Sequence, residues 1–438
     1  MTRTGFLSVI ILIVITVVFL NSAHIVQAGE EGVKVFTLDE CIRIALENNW
    51  SIKAQEDKIS ESEFARDEAK AGFYPELSTS YNYTRYDDEP TVGNIIVGEK
   101  NGFQWKSTVT QPIFKGYAIT STYELAKLGI DQSKVALELE KLDLALRVKE
   151  AYFNILKADK AVNVAKSAVE SLESHSALAK NFYDTGMTPI NDMLKAEVEL
   201  ANAQHDYIKA QNEATFARAS LNVLLSRTAD ESFDLEDILA YTPVTPDFDT
   251  NLEKAMESRP EIKSIDIMDE QADRQITLTK SRYYPEADFT FDYIKEGDDP
   301  LVNGSDYEDA NSWQAMIGVT WTFWDWDKTK SAVRQDKSRK SQLTKTRRTI
   351  EDNIRLELKK ATLDLKEAEQ KIPTAKKAVE QAEENLRVSE ERYKVQETTS
   401  TEVLDAQTLL SQARMNYYNA LYDHHLAKAC LLRAIGEY

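Results

Sequence analysis

Few side chains in this 438-residue sequence are placed to do chemistry. The adjacent pair His424-His425 is the first place to look for a metal. Neighbours on a helix point about 100° apart, however, and no carboxylate or cysteine cluster accompanies the pair. Both are expected on a helix surface, while His175 and His205 stand alone. Cys41 and Cys430 make no disulfide framework; two buried free thiols are expected, with a bond between them chemically open in an oxidising compartment. Arg347-Arg348 and Lys359-Lys360 are interleaved with Glu and Asp, the pattern of a solvated helix face. There is no phosphate-binding loop and no Ser, His and Asp arrangement, so neither catalysis nor a cofactor nor a metal is expected. The 73 acidic and 53 basic residues give a net charge of −20, which argues against a nucleic-acid partner held by phosphate attraction.

The remaining candidates are acids at two helix starts. Glu402 closes a capping box with Thr399, Asp405 lies deeper in the first turns, and Asp192 follows Thr188-Pro189, a cap with proline at the first helical position. An acid there offsets the positive end of the helix dipole, which is a structural role. Tyr393, at a helix end, is equally compatible with ordinary packing.

The elements that carry these residues are duplicated. Alanine recurs every seven residues at Ala196, Ala203, Ala210 and Ala217, and again at Ala406, Ala413, Ala420 and Ala427, an offset of 210. The same offset aligns Ala45 with Ala255, Tyr74-Pro75 with Tyr284-Pro285, Tyr183 with Tyr393 and Leu221 with Leu431 without a gap. A seven-residue alanine stripe predicts helices that supercoil with closely approaching backbones. The period is too long for a solenoid repeat, so one large unit has been duplicated.

Residues 1–28 have the layout of a secretory signal, with Arg3, an apolar run over 6–20 and Val26-Gln27-Ala28 as a small-residue cleavage site. That run is short for a helix crossing the bilayer. The organisation predicted is a signal peptide (1–28), a first repeat (29–228), a connector with Pro243 and Pro246 (229–250) and a second repeat (251–438). Each repeat reads as helix, β-hairpin, long helix and returning helix. In the first, a helix over 38–72 opens with the Thr37 and Glu40 capping box and ends before Tyr74-Pro75. Leu77, Thr79, Tyr81 and Tyr83 alternate with polar residues as in a strand, and a second strand covers about 104–114. The long helix, 118–183, carries Leu128, Leu142, Phe153 and Leu156 on a coiled-coil seam; the returning helix covers 189–226. In the second repeat the helices are expected over 252–282, 328–393 and 401–435, with a kink at Pro373, and the strands at Ala287 to Tyr293 and Trp313 to Phe323. At about 1.5 Å per residue, each long helix spans on the order of 100 Å, matched by two shorter helices stacked end to end. Strands near ten residues with aromatics at their ends fit a membrane β-barrel, and four strands cannot close one alone. An open edge cannot face lipid, so the barrel must be shared among chains.

The duplicated hairpin and long-helix plan, Ala71-Gly72-Phe73-Tyr74-Pro75, Gln111-Pro112-Ile113-Phe114-Lys115-Gly116, and Arg392-Tyr393 followed by Glu402-Val403-Leu404-Asp405-Ala406-Gln407 resemble TolC-type outer-membrane efflux proteins. The resemblance covers essentially the whole chain after residue 28. It implies a mainly α protein with membrane β: a homotrimer with a twelve-strand β-barrel in outer-membrane lipid and a twelve-helix α-barrel reaching into the periplasm. It also implies a passive exit duct for efflux or type I secretion, with a periplasmic adaptor and an inner-membrane transporter as partners. The turns 183–192 and 393–402 would form the periplasmic entrance. Gly186, Thr188, Pro189, Gln396, Thr398 and Thr399 would meet the adaptor, and Asp192, Tyr393, Glu402 and Asp405 would form the gate. A ring of carboxylates around a narrow pore raises pKa values and attracts cations. The sequence departs from the family at Gln396, where the turn glycine is expected, and at Thr398, where some members carry a basic gate residue. The rival reading is an exported coiled-coil structural or adhesive protein without a channel.

Overall fold

The computed structural model describes residues 35–243, 246–307 and 309–438; the expected signal peptide lies outside the described residues. The first repeat comprises β1 (Val35–Phe36), α1 (Leu38–Asn48), α2 (Trp50–Ala71), β2 (Glu76–Arg85), a small hairpin of β3 (Thr91–Val92) and β4 (Ile95–Ile96), β5 (Asn101–Lys115), α3 (Ala118–Asp184) and α4 (Ile190–Leu224). After β6 (Asp234–Leu235), the second comprises α5 (Phe248–Ser258), α6 (Pro260–Lys280), β7 (Glu286–Gly297), β8 (Asn311–Thr320), α7 (Lys328–Lys394) and α8 (Ser400–Ile435). Among the described residues no helix is long and apolar enough to cross a membrane.

The two hairpins join through β5 and β7 into one antiparallel sheet ordered β2-β5-β7-β8. The same lateral order continues in the helices: α2 lies beside α3, α3 beside α6, and α6 beside α7. Farther from the sheet, α4 and α8 take the places of α2 and α6, each packed on α3, with α8 also on α7. The chain is therefore a row of four rods, two of them unbroken helices of 67 residues. The other two are helices of 22 and 35 residues, and of 21 and 36, stacked end to end.

The expected single helix over 38–72 is broken at Asn49, whose extended ψ of 135° lets its side chain cap α2 through Ser51 N–H at 2.9 Å. The expected helix over 252–282 is broken likewise at Arg259, ψ 129°, because it precedes Pro260. Asn49 and Arg259 are themselves 210 apart, and each donates to the end of the returning helix. Asn49 Nδ2 reaches Leu224 O at 2.8 Å, and Arg259 Nη1 reaches Ala434 O at 3.4 Å. Those bonds are the joints of the stacked rods. Pro373 lacks an amide donor, yet α7 passes through it unbroken.

Duplication extends to single torsions. Left-handed backbone occurs at Gly116 and Trp326, Tyr117 and Asp327, Gly186 and Gln396, and Ser226 and Gly436, four pairs at the 210-residue offset. The largest core cluster surrounds Tyr152, whose hydroxyl donates to Glu236 O at 2.8 Å and Phe36 O at 3.3 Å. That strap ties α3 to the parallel pair β1 and β6, which the sequence reading did not foresee. Seven of the eight stripe alanines are buried and Ala203 is half-buried, as close helix approach requires. Cys41 and Cys430 are both free, the first buried and the second half-buried.

The sheet has two unlike faces. Leu77, Tyr81, Trp105, Val109, Phe291, Trp313 and Ile317 share one, and most of its large side chains are exposed. The other carries Ser78, Thr108, Asp292 and Gln314 in register. There Asp292 accepts from Thr108 Oγ1 at 2.6 Å and Gln314 Nε2 at 2.7 Å, and pairs with Lys106 at 3.0 Å. Trp321, Phe323, Trp324 and Trp326 are exposed where the sheet meets the rods.

Candidate gate at the helix tips

The rods end in two helical hairpins. At the first tip, Gly186 (φ 77°) donates to Tyr183 O at 2.8 Å and Met187 to Phe182 O at 2.8 Å, the paired bonds of a Schellman motif. At the second, Gln396 (φ 63°) donates to Tyr393 O at 3.0 Å and Glu397 to Arg392 O at 2.8 Å. The missing glycine leaves the turn's shape unchanged, and Gln396 carries left-handed strain of roughly 1–2 kcal/mol.

The two tips dock on each other. Tyr393 is buried, its ring 4.8 Å from His175 and 5.5 Å from Phe182 of α3. His175 Nε2 lies 2.7 Å from Ser400 Oγ, which bonds the buried imidazole to the start of α8. His175 therefore does not stand alone; the seven-residue step to Phe182 places both on one face of α3, a signal the sequence offered. Asp192, half-buried in the first turn of α4, acts on both rings. Burial lowers the His175 pKa, with Asp192 opposing; burial and then Asp192 raise that of Tyr393. The Tyr393 hydroxyl sits near Ser400 and Asp192 without completing a hydrogen bond of good geometry. Lys195 Nζ donates to Thr401 Oγ1 at 3.2 Å, a tie between α4 and α8.

The expected Thr399 and Glu402 capping box does not form. Thr399 makes no side-chain cap bond: the Glu402 N–H donates to Thr399 O at 3.2 Å, and the Glu402 carboxylate is taken by the Thr398 hydroxyl and by Arg392 Nη1 at 3.2 Å. At the other tip Pro189 precedes α4, and the buried Thr188 Oγ1 has no hydrogen-bond partner. The first box half-forms, Thr37 Oγ1 accepting from Glu40 N–H at 3.2 Å. Asp405 is exposed and has no partner among the described residues; it lines a groove between α4 and α8 with Asn191, Leu194 and Val198. Of the four gate candidates, Asp192 and Tyr393 are brought together, while Glu402 and Asp405 lie along the exposed start of α8. The histidine pair is not on the surface: His424 is buried with neither ring nitrogen hydrogen-bonded, Nε2 lying 3.9 Å from Glu369, and His425 is half-buried against Phe153. Among the described residues there is no cluster able to hold a metal.

The neutral His175 makes the tip contact sensitive to acid. Asp192 from α4, Tyr393 from α7 and Ser400 from α8 face it. An opened tip returns the imidazole to its ordinary pKa of about 6.5, so below that value the open form takes up protons more readily and the packed form loses stability. Amide exchange over 175–182 and 393–404, corrected for intrinsic rate, should accelerate from pH 7.5 to 5.5, and His175→Gln should remove that dependence.

The profile of the outer membrane efflux protein family matches residues 41–227 and again 251–437, once per repeat and at the same 210-residue offset. The chain is 23% identical over 416 residues to the cobalt-zinc-cadmium resistance protein CzcC of Cupriavidus metallidurans, covering 93% of this chain and 91% of that protein. It is 22% identical over 266 residues to the outer membrane protein TolC of Vibrio cholerae, 59% of this chain and 58% of that one. The structure superposes on CusC with a TM-score of 0.76 at 16% identity, covering 92% of both chains. It also superposes on the Campylobacter jejuni outer membrane channel CmeC with a TM-score of 0.76 at 18% identity, covering 91% and 85%. The chain belongs to the outer membrane efflux protein family.

Proposed function

We propose that three copies form a passive duct from periplasm to exterior, opened and fed by a periplasmic adaptor and an inner-membrane transporter. The observation that carries this reading is the four-stranded sheet, apolar and aromatic on one face, polar on the other, and open at both β2 and β8. Backbone donors and acceptors at an open edge cannot face lipid, so neighbouring copies must supply the pairing. Three such sheets make a barrel of about twelve strands, with the aromatic face to lipid and the Asp292 face to the lumen. The row of four rods continues it below. Tyr183 is 38% exposed whereas its repeat mate Tyr393 is 2% exposed. The difference follows if α7 of a neighbouring copy covers Tyr183 as α3 covers Tyr393. Asp192 and Tyr393 act as the latch between tips, and Asp405 as the carboxylate facing the passage.

The test is conductance of the detergent-released protein in planar bilayers. A trimer giving single channels is expected, and a water-soluble monomer without conductance supports the adhesive or structural alternative. Asp405→Ala should reduce cation over anion preference several-fold. Glu402→Ala should do less, because Arg392 already neutralises that carboxylate. Equal selectivity in wild type and Asp405→Ala would remove the carboxylate from the pore.

A further inference from the structure

A cavity of about 1090 Å³ lies between α1, α3 and α8, roofed by residues 237–242. Because α3 and α8 are neighbours inside one chain, it is away from the α2, α4 and α7 edges where further copies would pack. Its walls are apolar on several sides, with Ile42, Leu46, Phe153, Ile238 and Leu432. Charge is distributed unevenly around it. Arg43 is paired with Glu47 at 3.2 Å, and Asp237 with Lys160 at 2.5 Å. Lys141, Lys149 and Lys428, which also line the cavity, have no ion-pair or hydrogen-bond partner among the described residues, against Asp39 as the one uncommitted acidic side chain. Lys149 is 7% exposed. An ammonium taken out of water without a partner costs several kcal/mol. Burial, the largest influence on it, depresses the Lys149 pKa; Asp39 opposes and Lys428 adds to the depression. In a chain of net charge −20, three unpaired lysines around one apolar chamber are out of balance in the direction of an anion.

We propose that this chamber binds an anionic amphiphile, an apolar chain ending in a carboxylate or phosphate, with Lys149 pairing the head group and Lys428 and Lys141 supporting it. Such a ligand satisfies the buried ammonium and fills the apolar walls together, and the chamber is large enough for a lipid-sized body. The 22 residues of α2 set the chamber on the order of 33 Å from the sheet, so the ligand is not a lipid resident in the surrounding bilayer.

The purified full-length protein in a maltoside detergent is titrated calorimetrically with dodecyl phosphate and with dodecanoate, each below its micellar concentration; the two arms separate phosphate from carboxylate. Dodecanol and inorganic phosphate serve as controls lacking one half of the ligand. Saturable binding of one anionic amphiphile per chain is expected, at least tenfold tighter than either control. Lys149→Met should weaken it at least tenfold and Lys149→Arg little, while Lys428→Gln, at an exposed position, should weaken it several-fold. Lys149→Met should also raise Tm by a few degrees, because it removes the unpaired buried charge. Equal binding by wild type and Lys149→Met overturns the proposal, as does dodecanol binding as tightly as dodecyl phosphate. A lower Tm in Lys149→Met overturns it too, since Lys149 would then be satisfied within the protein.

Discussion

Replacing Arg259 by alanine should lower the stability of the folded chain by about 3 kcal/mol, at the low end of the cost of orphaning a buried charge. The guanidinium is 3% exposed and spans the break between α5 and α6. It forks onto Glu261 at 2.6 and 3.1 Å and reaches Glu357 at 2.7 Å. Arg433 bridges the same two acids at 3.3 and 2.7 Å and extends to Asp143 at 3.1 Å. Arg433 remains in the variant, which is why the low end applies. For a chain of this length that energy corresponds to a Tm lower by roughly 3–4 °C. Arg259→Lys should recover part of the loss, because a lysine supplies charge without the fork. Burial pushes the Glu261 pKa up, but the bonds and charge of Arg259 outweigh it and hold it below the ordinary range. The stabilisation is therefore full above about pH 4.3 and fades as Glu261 protonates below that, so wild type and variant should converge in acid. A difference that persists unchanged at low pH would mean that packing, rather than the ion pairs, carries the effect.

Gly116→Ala should cost about 2–4 kcal/mol and reduce the yield of assembled protein. Gly116 turns β5 into α3 at φ 61°, and a Cβ there would stand 2.4 Å from the carbonyl oxygen of Ser281 and 3.1 Å from Tyr284 Cβ. The torsion alone is not prohibitive, because Trp326 adopts φ 54° at the matching place in the second repeat. The obstacle is a backbone oxygen, which cannot swing aside as a side chain could. Gly186→Ala separates the two contributions: φ is 77° but nothing lies within 4 Å, so only the torsional cost of about 1 kcal/mol should appear. Equal losses in the two variants would show that the close approach at Ser281 is relieved by local shifts.

Most of this architecture can be read from the chain because it is written twice. The 210-residue register fixed which hairpins and helices correspond, and period-two alternation placed β2 within a residue at each end. What failed were features that depend on neighbours outside the local stretch. The rod joint at Arg259 carried a legible cue in Pro260, whereas its mate at Asn49 had none beyond a polar pair. Helix by helix, the sequence puts His424-His425 at a surface; in three dimensions α8 is enclosed by α3, α7 and the segment after β6. The boxes opened by Thr37 and Thr399 share a sequence pattern, but at the second the Glu402 carboxylate is held by Arg392 and Thr398. The gate candidates were nameable by position, yet their pairing was not. Tyr393 and Asp192 converge only because His175 and Phe182, more than two hundred residues upstream of α8, supply the packing surface.

The joint at Arg259 has no counterpart in kind at Asn49, where a single amide does the fastening. Arranged in a ring, identical chains would alternate riveted staves with merely dovetailed ones. In the proposed trimer, a wall that looks sixfold in its backbone would be threefold in its stiffness, and any dilation of the bore would follow the weaker seams first.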